Sequence, residues 1–258
     1  MNIGITKVRN EEHIIQDTLD CWSEVCDQII VYDDDSQDET AEICRSHPAV
    51  IEVISSNCLD PDRLRAEWYN RQLVLNSAKR HDFEWIAYFD GDEHLYDFDK
   101  SMLKDESVKV IATQWYDIYI TPEDANLLDD DYQLRRWVSP EYRQIPFFYR
   151  NSPVLAFTQP DQRIMHHEST ECYPINGLIR HWGKGFSVDI WDRKVQYYGH
   201  EHGLNGTDGM YAEKWRAREG NAIHHDFMSD EGNELILWQD VREKYADSCE
   251  RTVLQATS

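Results

Sequence analysis

The chain reads as an α/β protein with a doubly wound, mostly parallel central sheet, and three observations predict it. Short apolar runs alternate with stretches of helical period through the first hundred residues, the order that β-α-β units impose. Each acidic cluster in that stretch directly follows an apolar run, at the carboxyl end of a strand, where such sheets bind their ligands. The third is size: 258 residues, 41% hydrophobic and 12% aromatic, supply a substantial core and exclude a disordered acidic tail.

Residues 3–8 form the first strand, and Arg9-Asn10-Glu11-Glu12 turn the chain out of it. Over residues 11–26, Ile15, Leu19, Trp22 and Cys26 recur at spacings of four, three and four, one face of a helix. Residues 28–32 make the second strand and run straight into Asp33-Asp34-Asp35-Ser36. Ser36 and Glu39 have capping-box spacing, so the next helix is expected to start at Ser36 and end near Arg45. A third strand covers residues 50–54. The helix over 62–80 carries Ala66, Tyr69, Leu73 and Ser77 on one side. Residues 85–89 are the fourth strand, five apolar residues ending at Asp90-Gly91-Asp92-Glu93.

Beyond residue 100 the pattern loosens. Residues 107–120 read as strand, and 121–131, with Asp129-Asp130-Asp131, as a solvated loop. Short, antiparallel strands are expected over 132–138, 145–149 and 154–157, and helices over 209–224 and 233–248. No repeat and no Pro/Gly/Ser linker forces a boundary, so residues 1–258 are expected to form one domain.

Against 26 basic side chains stand 49 acidic ones, a net charge of −23, with a pI near 4.7. That balance excludes a nucleic-acid binder, whose affinity rests on clustered Lys and Arg, and a basic face on anionic lipid. It suits an enzyme that recruits a divalent cation to meet an anionic substrate. No run approaches the ~18–20 apolar residues of a membrane span, and Met1-Asn2-Ile3-Gly4-Ile5-Thr6-Lys7 lacks a signal-peptide pattern. A cytoplasmic location is therefore expected. Six cysteines are scattered without a C-x-x-C pair, so buried free thiols are expected rather than zinc or disulfides.

Asp90-Gly91-Asp92 is the central motif. Two carboxylates separated by a glycine can share a hard divalent cation, which would bridge to a diphosphate. In so acidic a chain the bare tripeptide is also what chance supplies, as a solvated turn; its place after an apolar strand singles it out. Residues 83–106 hold eight acids against two lysines, a density that asks for a counter-ion. Asp33 and Asp34, at the second strand end, can accept from the N–H of a base and from ribose hydroxyls. Asp38 and Glu39 read as helix capping and dipole compensation.

Three segments together resemble a known family: Thr6-Lys7-Val8-Arg9-Asn10-Glu11-Glu12, Ile30-Val31-Tyr32-Asp33-Asp34-Asp35-Ser36-Gln37-Asp38-Glu39-Thr40, and Trp85-Ile86-Ala87-Tyr88-Phe89-Asp90-Gly91-Asp92-Glu93. They look like the successive motifs of family 2-type glycosyltransferases of GT-A fold. The resemblance is strong over residues 1–95 and weaker over 145–200. It implies a GT-A-like sheet with a small antiparallel acceptor-side element and C-terminal helices. Residues 1–100 would be the nucleotide-sugar half, 101–208 the acceptor half, and 209–258 a helical extension. It also implies sugar transfer, usually with inversion, from a nucleotide-diphosphate donor, a UDP-sugar being the commonest, to a glycan or other acceptor with Mn²⁺ or Mg²⁺. Asp35 departs from the pattern, which most often has Gly there.

On that resemblance Thr6, Arg9, Asn10, Glu11, Asp33, Asp34, Asp90 and Gly91 are expected to contact the nucleotide sugar, and Asp90 and Asp92 the metal. Met165-His166-His167-Glu168 resembles a His-Glu element, implying Glu168 as general base and His167 as an acceptor contact. Asp161 and Glu171 are rival bases, and an ordinary loop carboxylate paired to a histidine is the other reading. Ile179-Arg180-His181-Trp182-Gly183 resembles a late His-x-Gly element, implying His181 as a further metal ligand. Residues 176–198 carry four basic groups against two acids, and Lys184 and Lys194 in that positive island suit a pyrophosphate. Trp182 is a candidate acceptor platform, although most of the tryptophans are expected in the core. A nucleotidyltransferase and a non-catalytic nucleotide- or carbohydrate-binding module are the alternatives. The Gly-rich basic loop of the former is missing, and the intact D-x-D disfavours the latter.

Overall fold

The computed structural model describes residues 1–55, 63–121, 123–124, 127–139, 142–159, 163–169, 173–183, 185–187, 189–190, 193 and 235–256; the side chains of 63, 129–130 and 249–256 are outside the description. Along the chain these residues fall into two compact units, Met1–Gln114 with Gln144–Ile179, and Trp115–Arg143 with Arg180–Ser258.

In the first unit the four predicted apolar runs are strands β1 (Asn2–Val8), β2 (Gln28–Asp33), β3 (Val50–Ser55) and β4 (Trp85–Asp90). They pair in parallel in the order β3-β2-β1-β4. Helices α1 (Ile15–Ser23), α2 (Thr40–Ser46) and α3 (Arg63–Ala78) make the crossovers. Beyond β4 the sheet continues through β8 (Arg143–Arg150), antiparallel to β4, then β6 (Val110–Asp117), β11 (Ile175–His181) and β5 (Glu93–Tyr96). A small ladder of β9 (Ala156–Phe157) and β10 (Met165–His166) is antiparallel. This is the α/β, GT-A-like arrangement that the sequence predicts.

Alternation along the strands divides the core. Ile3, Ile5, Ile30, Tyr32, Ile86 and Tyr88 pack with Val74, Leu75 and Ala78 of α3. On α1, Ile15, Leu19 and Trp22 are buried, as their spacing predicts. Trp22 stacks on Phe89 with ring centroids 4.3 Å apart, an apolar contact that anchors the helix. The described cysteines are free, and burial pushes the Cys21 thiol up to about 11 and Cys44 to about 12, as inert core thiols.

In the second unit β12 (Ile236–Leu237) pairs with β7 (Trp137–Val138), and helix α4 (Trp238–Ala256) follows. Its buried Arg135 donates to the Phe186 carbonyl at 2.9 Å and to Asp124. Trp182, fully buried, meets Tyr132 edge-on at 4.7 Å.

Three expectations are corrected. The helix expected at Ser36 starts at Thr40, because Ser36 Oγ accepts instead from the Asn10 N–H, and Asp38 caps Thr40 at 3.0 Å. Residues 129–134 are a 3-10 turn, leaving only β7 of the strand expected there. Strands β5 and β11 were not anticipated, since neither shows a clean alternation. The helix expected over 209–224 lies outside the described residues.

Candidate functional site

Strand β4 ends at Asp90 and the chain re-enters the sheet as β5 at Glu93, so Gly91 and Asp92 form the turn. A β-carbon on Gly91 would sit 3.0 Å from Val8 Cγ1 and 3.4 Å from Glu11 Cγ, so a side chain there would crowd both neighbours. Helix α1 holds the turn's backbone. The Thr18 hydroxyl donates to the Gly91 carbonyl at 2.7 Å and accepts from His94 Nε2 at 3.1 Å, while Trp22 Nε1 donates to the Glu93 carbonyl at 2.8 Å.

The turn's carboxylates are specifically engaged. Asp90 Oδ1 accepts from the Tyr88 hydroxyl at 2.9 Å and Oδ2 from Arg163 at 3.1 Å. Arg163 also pairs with both Glu93 oxygens, at 2.8 Å to Oε2, and Glu93 accepts the Asp90 N–H at 2.8 Å. Burial works against the Arg163 charge, but Asp90 and Glu93 outweigh it and raise its pKa above the ordinary arginine value. Burial, then Asp90, pushes the Tyr88 phenol up, so it stays a donor. Arg71 Nε donates to the Tyr88 oxygen at 3.1 Å.

At the neighbouring strand end, Asp34 pairs with Lys7 at 3.0 Å and accepts from Asn70 at 3.1 Å, while Glu67 pairs with Arg71 at 3.4 Å. Asp33 is buried and accepts from the Ser36 N–H. Arg9 donates to the Asp34 carbonyl at 2.6 Å, Asn10 Oδ1 accepts from the Gln37 N–H at 2.8 Å, and the Glu11 N–H donates to Thr40 Oγ1 at 2.8 Å. These three residues therefore lace the two strand-end loops together. Asp35 takes the left-handed conformation, φ 57°, which the glycine usual there would adopt freely. Thr6, expected to touch the donor, is fully buried within β1.

His167 is buried, its Nδ1 accepting from the Ser169 N–H at 3.0 Å, and burial lowers its pKa. Glu168, the next residue, is exposed. In the second unit His181 Nδ1 donates to Asp117 Oδ1 at 2.6 Å, and the ring stacks on Trp115 at 4.5 Å. A carboxylate on Nδ1 places the imidazole lone pair on Nε2. Trp182, expected as an acceptor platform, is fully buried, with the Arg180 guanidinium 4.3 Å from its ring. Asp161, Lys184, Lys194 and the rival Glu171 lie outside the described residues.

The residues of the turn fit a cation in part. Asp90, Asp92 and Glu93 bring three carboxylates to the turn, the hard oxygen donors a divalent ion takes, while Arg163 and Arg71 bring positive charge against Asp90. Asp90, expected as a metal ligand, already accepts an in-chain donor on each oxygen. Among the described residues no three His, Cys, Asp or Glu side chains gather as a metal cluster. Sequence reasoning missed Arg163, Tyr88 and the α3 positions Glu67, Asn70 and Arg71. The three-to-four spacing of those polar α3 residues, beside the apolar stripe, was a usable signal; a lone Arg163 gave none.

No protein-family model matches the chain. Two proteins described as uncharacterized, from Mycobacterium bovis and Mycobacterium tuberculosis, are each 29% identical over 140 residues, 54% of this chain. The chain spans about a third of their length, 31%. Among solved structures, it is similar to glucosyl-3-phosphoglycerate synthase from Mycobacterium tuberculosis, solved with Mn²⁺, UDP and glucosyl-3-phosphoglycerate. The identity is 19% and the TM-score 0.32, over 45% of this chain and 44% of that one. It is also similar to S. aureus TarS, at 16% identity and TM-score 0.40, over 84% of this chain and 42% of that one. No described helix is long and apolar enough to cross a membrane.

Proposed function

We propose that the chain is a metal-dependent, inverting glycosyltransferase that moves a sugar from a nucleotide-diphosphate donor, UDP favoured, to a hydroxyl of a glycan or other acceptor. The observation that carries this reading is the acidic turn closing β4, Asp90-Gly91-Asp92-Glu93, at the carboxyl end of a parallel sheet, beside Asp33 and Asp34. Carboxylates gathered at a strand end favour a cation, and a cation-bound diphosphate supplies one.

In this reading Asp33 and Asp34 hold the base and ribose, and Asp92 holds Mn²⁺ or Mg²⁺. When bound, that ion screens the charge on the leaving diphosphate. Glu168, with Asp161 as rival, takes the proton of the acceptor hydroxyl; the oxygen bonds the anomeric carbon as the bond to the diphosphate breaks. Lys184 and Lys194 are proposed for the pyrophosphate. His181, its tautomer set by Asp117, is proposed as a metal ligand. His167, buried, is proposed to orient Glu168 rather than to touch the acceptor directly.

Incubation with nucleotide sugars and Mn²⁺ tests the reading. Nucleoside diphosphate release that falls at least about tenfold in Asp92→Asn supports it. Pyrophosphate release would instead indicate a nucleotidyltransferase, and nucleotide binding without turnover a binding module.

A further inference from the structure

We propose that Trp68 and Gln72 of α3 are positioning residues that set the acceptor-side segment, residues 165–168, against the donor-side strand ends. They act through the Phe157 carbonyl. The proposal rests on the transferase reading for what that segment does, not for how it is held.

Strands β9 and β10 pair over two residues each, in a ladder separate from the large sheet. So short a ladder is marginal alone, and its place is inherited from what it leans on. That support is α3. The Phe157 carbonyl accepts from Trp68 Nε1 at 2.6 Å and from Gln72 Nε2, which fills both of its lone pairs. Further along the helix end, Lys79 donates to the Leu155 carbonyl. The Phe157 ring meets Tyr88 edge-on at 5.1 Å, and the Met165 N–H donates to the Tyr149 hydroxyl at 3.2 Å. Met165 is the register partner of Phe157, and His167 and Glu168 lie just beyond it.

An adjoining face of the same helix holds the donor side. Asn70 donates to Asp34 at 3.1 Å, and Arg71 Nε to the Tyr88 oxygen at 3.1 Å, whose hydroxyl donates to Asp90. Trp68 and Gln72 share one stripe at helical i, i+4 spacing, and Glu67 and Arg71 share the next. One helix thus carries both ends of the gap that a transferred sugar would cross. Losing a donor on the first stripe moves the acceptor segment while leaving the second stripe's contacts in place.

The test combines hydrogen–deuterium exchange and kinetics on the full chain with Q72L, which keeps a good helix former and removes the donor. Exchange at the amides of 165–168 is expected to rise at least about fivefold, while β4 keeps its wild-type protection. Q72K, which retains a donor of similar reach, is expected to restore it. No rise, or an equal rise in β4, overturns the proposal, since a merely structural glutamine loosens the whole unit. The kinetic arm uses UDP-glucose, GDP-mannose and dTDP-glucose with Mn²⁺, water standing in for the acceptor hydroxyl. In Q72L, kcat for nucleoside diphosphate release is expected to fall at least about fivefold, with the donor KM within about twofold of wild type. An unchanged kcat overturns the proposal, and so does a raised KM with kcat intact, which would place Gln72 at the donor. If Q72L does not fold, W68F, which keeps a ring and loses the N–H, is judged by the same measures. A wild type that turns over none of these donors loses the transferase reading alone, and the exchange pattern still decides whether α3 holds the segment.

Discussion

Asp35 sits in the left-handed region at φ 57°, where a side chain costs energy that glycine avoids. Asp35→Gly is expected to be neutral or to stabilise the fold by up to about 1 kcal/mol, read as a shifted urea midpoint. A loss of more than that would mean the Asp35 side chain has a supporting partner in the loop. His167 gives a pH prediction. Burial lowers its pKa, so the folded chain binds its proton less readily than the unfolded chain, whose histidine titrates near ~6.5. Its contribution is therefore fully present above that value and lost as pH falls below it. Unfolding free energies at two pH values, one above and one below, should differ less in His167→Gln than in wild type. An identical difference would refute the assignment of that slope to His167.

At the scale of elements, α1 supports the acidic turn without supplying a charge to it. Thr18→Val keeps the shape but leaves the Gly91 carbonyl and His94 Nε2 without their shared partner, at a cost of about 1–3 kcal/mol. Denaturant unfolding checks the cost, and Mn²⁺ affinity should fall with it as the turn loosens. Full stability in the valine variant would show that water replaces the hydroxyl. The buried face of α1 was legible in the sequence because Ile15, Leu19 and Trp22 follow helical period, and the four parallel strands because their runs are continuous. The placement of Asp90-Gly91-Asp92 followed from the same runs. What the turn's carboxylates bind within the chain was not legible, because Arg163 arrives from 70 residues away with no local pattern. The Ser36 capping box failed for a similar reason: a remote Asn10 N–H took the hydroxyl. The burial of Trp182 was not legible, because an aromatic residue looks alike in the sequence whether it stacks on a sugar or fills a core.

For the molecule as a whole, a net charge of −23 means self-repulsion in the folded state. Raising salt from ~0.01 to ~0.15 M shortens the screening length from ~30 to ~8 Å. The melting temperature should therefore rise with NaCl; a flat response would show that the acids are mostly compensated locally. The pairing of Glu93 with Arg163 carries a further meaning for how the protein is made. Synthesis proceeds from the amino end, so β1 to β4 can fold on the ribosome while the guanidinium is still to come. At ~5–20 residues per second, the 70 residues between the partners take about 4–14 s to emerge. Through that interval the Glu93 carboxylate would be costly to bury and stays in water. The nascent chain thus keeps Glu93 in water until Arg163 has been translated, and β5, the strand that carries Glu93, waits longer still for its sheet neighbour β11.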